Sequence, residues 1–336
     1  MNYMRIIFKK FKARMIVGCI LAVIALLAVS VIVFINQASF GRTPRGERLE
    51  RVMKSPNYRN GEFKNQHETL LMTSDRGRFS GIWEFIFRKI DGLRPEQAVK
   101  AIKTDLRKIG RNEEILVWFG HSSYLIQTGG KRILVDPVFC MASPVSFVNK
   151  PFKGTELYTP DDMPDIDYLV ISHDHWDHLD YNTVKKLKDR IGAVICPLGV
   201  GEHFEYWGFD KERLIELDWN EDANLAPGFM IHCLPARHFS GRRLTANQSL
   251  WASFLLEAPS QKIYIGGDGG YDTHYAEIGN RFPGIDLAIL ENGQYNEEWS
   301  LIHLMPQYMA QTARDLKAKI VLTVHHSKYA LAKHRW

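Results

Sequence analysis

Three histidines and two aspartates fall within six consecutive positions, His173-Asp174-His175-Trp176-Asp177-His178, straight after an apolar run in "VISHDHWDHLD" (residues 170–180). Charged and imidazole groups at the end of a buried strand are costly unless something compensates them. Three other strand-like runs end in the same kinds of residue: "LPARH" in His238, "YIGGD" in Asp268 and "LTVH" in His325. A buried strand delivers its last residues to one rim of its sheet, so the four ends can converge on one point. His173, His175, Asp177, His178, His238, Asp268 and His325 then form a set of nitrogen and oxygen ligands without a thiolate. Such a set suits a pair of borderline divalent cations, most simply two Zn2+ per chain. Two ions about 3.5–4 Å apart polarise a shared water and lower its pKa toward neutrality. That is hydrolytic chemistry with no side-chain nucleophile, in keeping with the absence of a G-x-S-x-G or phosphate-cradling motif.

The elements that must carry these residues are short β-rich runs: "EILVWF" (114–119), "SYLIQT" (123–128), "RILVD" (132–136), "DYLVIS" (167–172), "GAVICP" (192–197), "LIELDW" (214–219), "FMIHCLP" (229–235), "SLWASFLLE" (249–257), "KIYIGGD" (262–268), "DLAILEN" (286–292) and "KIVLTVHH" (319–326). Gly129-Gly130 marks a hairpin between the second and third. Helical patterns at 181–191 and 306–318 lie between some of them, and "PEQAVKAIKTDLRKIG" (95–110) reads as a helix opened by Pro95 and closed by Gly110. "SPNYRNGEFKN" (55–65) reads as loop. Strand-rich with interspersed helices in one long unit predicts an α/β fold of two packed sheets with helices outside, an αββα sandwich.

The N-terminus has a different character. Met15 to Ile35 is an uncharged apolar run, long enough at 1.5 Å per residue to cross a bilayer core of roughly 30 Å. Arg5, Lys9, Lys10, Lys12 and Arg14 precede it with no acid, so they account for the whole net charge of +5 and the remainder sums to zero. A neutral folded portion argues against a nucleic-acid surface. The expected organisation is a basic arm (1–14), a transmembrane helix (15–35), an N-terminal extension (36–112) and a hydrolase domain (113–336). Basic residues packed close before the span favour a single-pass cell-membrane protein with its catalytic domain outside the cytoplasm. Cys140, Cys196 and Cys233, beyond the span, read as buried small hydrophobes.

The motif H-x-H-x-D-H, with the later histidine, the Gly-Asp pair and the strand-end histidine in this order, resembles the metallo-β-lactamase superfamily over roughly residues 114 to 330. "VWFGHSSYLIQTGGKRILVDPVF" (117–139), "CPLGV" (196–200), "IELDWNE" (215–221), "EIGNRFPGIDLAIL" (277–290) and "HHSKYALA" (325–332) are similar to the N-acyl-phosphatidylethanolamine-hydrolysing phospholipase D-like branch, which shares its scaffold with UlaG-like hydrolases. The resemblance implies that His173, His175 and His238 hold one zinc and Asp177, His178 and His325 the other, with Asp268 bridging. It implies catalytic work for Asp177, Asp268 and His303, the last near the substrate mouth. It makes a phospholipid, or another small ester or phosphodiester, the expected substrate. His121 and Asp136 are candidates to orient the ligands from behind; Trp176, Tyr181 and Tyr295 are candidates for the substrate rim. His326, beside His325 on a strand, should face the other way. Two departures stand out: the chain stops at Trp336, where relatives continue, and the apolar span is foreign to the animal enzyme's pattern. The competing readings are an UlaG-like hydrolase of a lactone or small ester and a non-catalytic, metal-stabilised membrane protein.

Overall fold

Runs that are apolar at every position, such as "ILV" (133–135) and "YLVI" (168–171), must be covered on both faces. In the computed structural model, which describes residues 2–73, 90–145, 147–332 and 334–336, they are. One six-stranded sheet holds β3 (Ile115–Trp118), β4 (Tyr124–Thr128), β5 (Lys131–Val135), β6 (Ile166–Val170), β7 (Ile191–Pro197) and β8 (Leu214–Leu217) in that order. The other holds β9 (Asp222–Ala226), β10 (Phe229–Leu234), β11 (Ser253–Glu257), β12 (Lys262–Ile265), β13 (Leu287–Glu291) and β14 (Ile320–Val324), also in sequence order. Both sheets are mixed: the first has two antiparallel pairings and then three parallel ones, β5 to β8, and the second three antiparallel pairings and then two parallel ones, β12 to β14.

The two-residue period of a strand sorts its side chains into layers. Ile133, Val135, Val170 and Ile195 meet Ile231, Phe254, Ile263, Ile265 and Ile289 in the core between the sheets. Their neighbours Leu134, Leu169 and Val194 turn outward onto Val184, Leu187 and Phe204 of the helices Tyr181–Leu187 and Gly201–Tyr206. On the opposite flank Leu255, Tyr264, Ala288 and Leu290 pack with Tyr275, Ile278 and Leu316 around the helix His274–Arg281. This is the αββα sandwich. At the rim the two sheets touch through a bridge between His121 and His326.

Four local expectations need correction. Residues 95–105 form no helix; among 95–110 only the 3-10 turn Leu106–Lys108 is helical. Competing tertiary hydrogen bonds explain this: Val99 N donates to Lys153 O, and Thr104 N to the Tyr158 hydroxyl, so the backbone is committed outside itself. The loop at 55–65 contains a small hairpin, β1 (Tyr58–Arg59) with β2 (Glu62–Phe63), turned by Asn60 and Gly61, both at positive φ. The run at 249–257 becomes a strand only at Ser253, because Leu250 N and Ala252 N donate to Leu198 O and Ser172 O of the other sheet's loops. Cys196 and Cys233 are buried but Cys140 is exposed, since it lies in the loop after β5 rather than in a strand.

Contacts divide the chain into Met1–Phe40 and Gly41–Trp336. The first unit contains the helix Asn2–Ile35, of which Lys10–Ile35 is long and apolar enough to cross a membrane by length and composition. In the second, the arginines of the extension pair with acids of the sandwich: Arg42 with Glu202, Arg48 with Glu202 and Glu216, Arg51 with Glu221.

If 95–105 is an extended strap anchored at Leu106, then Leu106→Ala should cost about 2–5 kcal/mol of stability. Ile102→Ala, at a side chain 88% exposed, should stay within about 0.5 kcal/mol. Denaturant unfolding of the two variants checks both; equal losses would mean a buried helical face instead.

Candidate metal centre

The loop that carries the motif is held at both ends by one carboxylate. Asp136, the residue after β5, accepts from Ser172 N (2.8 Å) and Ser172 Oγ (2.6 Å) where β6 ends. It also accepts from Nδ1 of His178 at the loop's far side (2.8 Å). His121 and His325 both adopt positive φ, 54° and 68°, an uncommon conformation for a side chain with Cβ. Two backbone bonds hold them there: His325 N to His121 O, and His121 N to His326 O, each 2.9 Å.

These constraints gather the predicted side chains. His173 Nε2 lies 2.8 Å from His175 Nδ1, and His238 Nε2 lies 3.3 Å from the same atom. Ligand-type atoms of His121, Asp177, His178 and His325 form a second group, all within 4.8 Å of one another. Asp268 stands between: Oδ2 is 3.2 Å from His178 Nε2 and 3.9 Å from His238 Nε2, and Oδ1 is 3.2 Å from His325 Nδ1. Three of the rings are also held at Nδ1. His173 Nδ1 meets Ser172 Oγ (2.9 Å), His325 Nδ1 meets Ser122 Oγ (2.8 Å), and His238 Nδ1 donates to Ile302 O (2.7 Å). That leaves Nε2 as the inward atom of His173, His178 and His238, whereas His325 turns Nδ1 toward Asp268 as well as Ser122; partners placed behind a ring in this way fix its orientation.

The donor set fits a divalent cation. His178 Nε2, His325 Nε2 and Asp268 Oδ1 are buried without a hydrogen-bond partner. Burial drives the His173, His238 and His325 imidazoles well below their usual pKa and takes His175 to about 4, so these rings are neutral, the form that coordinates metal. Burial works to raise the Asp177 carboxyl, but His178 and His121 outweigh it and hold it ionised. Asp268, raised to about 6 by burial with a contribution from Glu291, is the carboxylate most in need of positive charge.

The other candidates fall in several places. His121 Nε2 reaches Asp177 Oδ2 at 3.0 Å. His303 is buried, its ring centroid 5.2 Å from that of His238 and 5.5 Å from that of His325, with Nδ1 2.7 Å from Glu291 Oε2. Burial lowers its pKa but Glu291 more than reverses this, to about 9. His326 turns away, to Ser327 Oγ (2.7 Å) and Thr323 O (3.2 Å). Trp176 lies under the Arg242 guanidinium, 4.0 Å from ring centroid to Cζ. Tyr181 packs on Trp207 against the outer helices. Tyr295 stacks on His334 in a separate groove that contains none of the seven. Tyr181 and Tyr295 are therefore not brought to the metal cluster: one covers a hydrophobic layer and the other belongs to the far face of β14.

Sequence reasoning missed Glu291, Ser122 and the role of Asp174. Asp174, between two ring ligands, is buried and accepts from His203 Nε2 (3.1 Å), Ser249 Oγ (2.8 Å) and Gly241 N (2.9 Å). His203 Nδ1 in turn accepts from Arg42 N (3.0 Å), which requires the proton on Nε2. Gly41 permits that approach: a Cβ there would stand 2.0 Å from His203 Nδ1. The extension also borders one of the seven, since Asn65, His67, Leu70 and Leu71 join His238 and Phe239 in lining a cavity of about 640 Å3.

Residues 131–326 match the Beta-lactamase superfamily domain. An uncharacterized protein of Mycobacterium tuberculosis is 36% identical over 292 residues, covering 84% of this chain and 77% of that one. The N-acyl-phosphatidylethanolamine-hydrolyzing phospholipase D 1 of Caenorhabditis elegans is 29% identical over 231 residues, 64% of each chain. A metal-dependent hydrolase of Pyrobaculum aerophilum is 26% identical over 221 residues, 64% of this chain and 85% of that one. The chain belongs to the metallo-β-lactamase superfamily and is a metal-dependent hydrolase.

Proposed function

We propose that this hydrolase is a membrane-anchored phosphodiesterase that cleaves N-acyl-phosphatidylethanolamine into phosphatidic acid and an N-acyl-ethanolamine. The observation that carries the reading is the placement of Asp268 between the His173/His175/His238 group and the Asp177/His178/His325 group, an arrangement suited to two cations. The similarity to the nematode phospholipase supports the substrate class. His173, His175 and His238 would hold one zinc, Asp177, His178 and His325 the other, and Asp268 both. Bound metal supplies Lewis acidity for a phosphoryl oxygen and a water acidified toward neutral pKa. In the net reaction that water's oxygen ends on phosphorus as phosphatidic acid, the P–O bond to the acylethanolamine breaks, and a proton passes to the released alcohol.

The chain's own residues do the rest. Asp136 and Ser122 keep His178 and His325 turned inward, and the cavity beside His238 admits a headgroup. Lys10–Ile35 would serve as the anchor, with the basic arm on the cytoplasmic side. By confining the domain to a surface, the anchor raises the local concentration of lipid substrate without supplying a catalytic group.

Hydrolysis of a liposome panel of phospholipids, set beside a lactone panel and repeated with chelator, tests the substrate. Chelator-sensitive turnover of N-acyl-phosphatidylethanolamine is expected; turnover of lactones alone would put the UlaG-like reading in its place. Metal analysis of the purified protein should find close to two zinc ions per chain, and a folded, metal-free preparation would sink the dinuclear assignment. His238→Ala and Asp268→Asn should each lower kcat about 1,000-fold or more, a few kcal/mol of barrier, whereas His326→Ala should be mild. Asp136→Asn should weaken metal binding by about 10–100-fold in a competition titration. A chain truncated to begin at Asn36 should hydrolyse detergent-dispersed substrate at the full-length rate and lose activity on dilute bilayers. An equal, small loss on both would argue against a membrane lipid.

A further inference from the structure

The three rings of one seat come from two stretches of chain, His173 and His175 from the loop after β6 and His238 from the loop after β10. Asp174 joins the two. Its Oδ1 accepts from Gly241 N (2.9 Å) and its Oδ2 from Ser249 Oγ (2.8 Å), both in the stretch that follows His238. His178 and His325 of the second seat are backed from elsewhere, by Asp136 and Ser122.

His203, 3% exposed on the helix Gly201–Tyr206, adds a third arm, its Nε2 lying 3.1 Å from Asp174 Oδ2. The other ring nitrogen is met from the opposite side by Arg42 N at 3.0 Å. A backbone N–H only donates and a carboxylate only accepts, so the ring is oriented from both ends. The turn that supplies Arg42 N is itself clasped. Gly41 O accepts from Arg243 Nη1 (2.7 Å), and Arg42 Nε donates to Glu202 Oε1 (2.5 Å). Glycine suits this approach, because Gly41 has φ 64° and a Cβ there would stand 2.0 Å from His203 Nδ1. The first residues of the extension are thus joined, through one imidazole, to the carboxylate that lies between two ring ligands.

We propose that His203 is a positioning residue for the His173/His175/His238 seat: it acts through Asp174, and the Gly41–Arg42 turn keeps it in place. The inference rests on the reading of those three rings as a cation seat. The alternative is a packing role, in which the ring only fills space beside Trp207 and its two nitrogens do not matter separately.

His203→Gln and His203→Asn separate the two. The glutamine amide reaches the position of Nε2 and can still donate to Asp174. The asparagine amide stops at the position of Nδ1, so it can accept from Arg42 N but loses Asp174. Full-length protein in detergent is loaded with zinc, the only ligand used, and titrated with a competing chelator while melting temperatures are recorded alongside. His203→Asn should weaken one of the two ions about tenfold or more, the size expected when an outer partner of a metal site is lost, and leave the other at wild-type affinity. His203→Gln should hold both ions near wild-type affinity despite a similar fall in Tm. His175→Ala identifies the seat: it removes that ion directly, and adding His203→Asn should not weaken the ion that remains. Gly41→Ala, which displaces the ring without changing it, should repeat the His203→Asn loss, and it takes that variant's place if the asparagine protein does not fold.

Wild-type zinc affinity in His203→Asn and Gly41→Ala, equal losses in His203→Asn and His203→Gln, or further weakening of the remaining ion when His203→Asn is added to His175→Ala would each overturn the inference. Wild-type protein that binds no zinc would instead defeat the reading of a cation seat, and the inference along with it.

Discussion

Two imidazole nitrogens 2.8 Å apart, His173 Nε2 and His175 Nδ1, set the terms for the rest of the molecule. Beside them His178 Nε2, His325 Nε2 and Asp268 Oδ1 are buried without partners, and each such atom left unmet costs about 1–3 kcal/mol. Repacking side chains cannot relieve this, because the outer nitrogens are already tied to Asp136, Ser122, Ser172 and the Ile302 carbonyl. Positive charge placed among the inward atoms would satisfy them together. The same fixed geometry suits the donor set to a divalent cation.

The sandwich provides that geometry through its parallel pairings. In β5 and β6 of one sheet, and β12 to β14 of the other, the C-terminal ends lie on one rim, where Asp136, the motif loop, Asp268, Glu291 and His325 emerge. β5, β6, β12 and β13 are largely buried, so a shift in register would expose core side chains and move the residue at the strand end together. The antiparallel pairings add β10, whose continuation brings in His238.

The extension before the sandwich is bonded to the residues around the candidate site. Asn65 brackets His238, donating to its carbonyl (2.7 Å) and accepting from its amide (3.1 Å). Arg42 N donates to His203, which holds Asp174 between His173 and His175. A polar, arginine-rich stretch that reads as an approach segment thus supplies a wall of the cavity and a brace for the metal loop. Arg48 pairs with the buried Glu202 and the half-buried Glu216, so its charge, which looks destined for solvent or a membrane surface, is met within the fold.

The sequence by itself determined the inventory: the apolar runs that become most of the twelve sandwich strands, the seven histidines and aspartates at their ends, and the long apolar helix. These are legible because each depends on local spacing, apolar runs for covered strands and ligand types immediately after them. The tertiary structure alone decided the partners. His203 meets Arg42 across 161 positions, and Glu291 reaches His303, 12 residues on, only because the chain doubles back at the rim. It also decided that 95–105 lies extended, since hydrogen bonds to Lys153 and Tyr158 outweigh a helical pattern with no face to bury. Local periodicity carries no record of which distant backbone or carboxylate will stand opposite a given side chain. That is fixed by strand register and sheet packing.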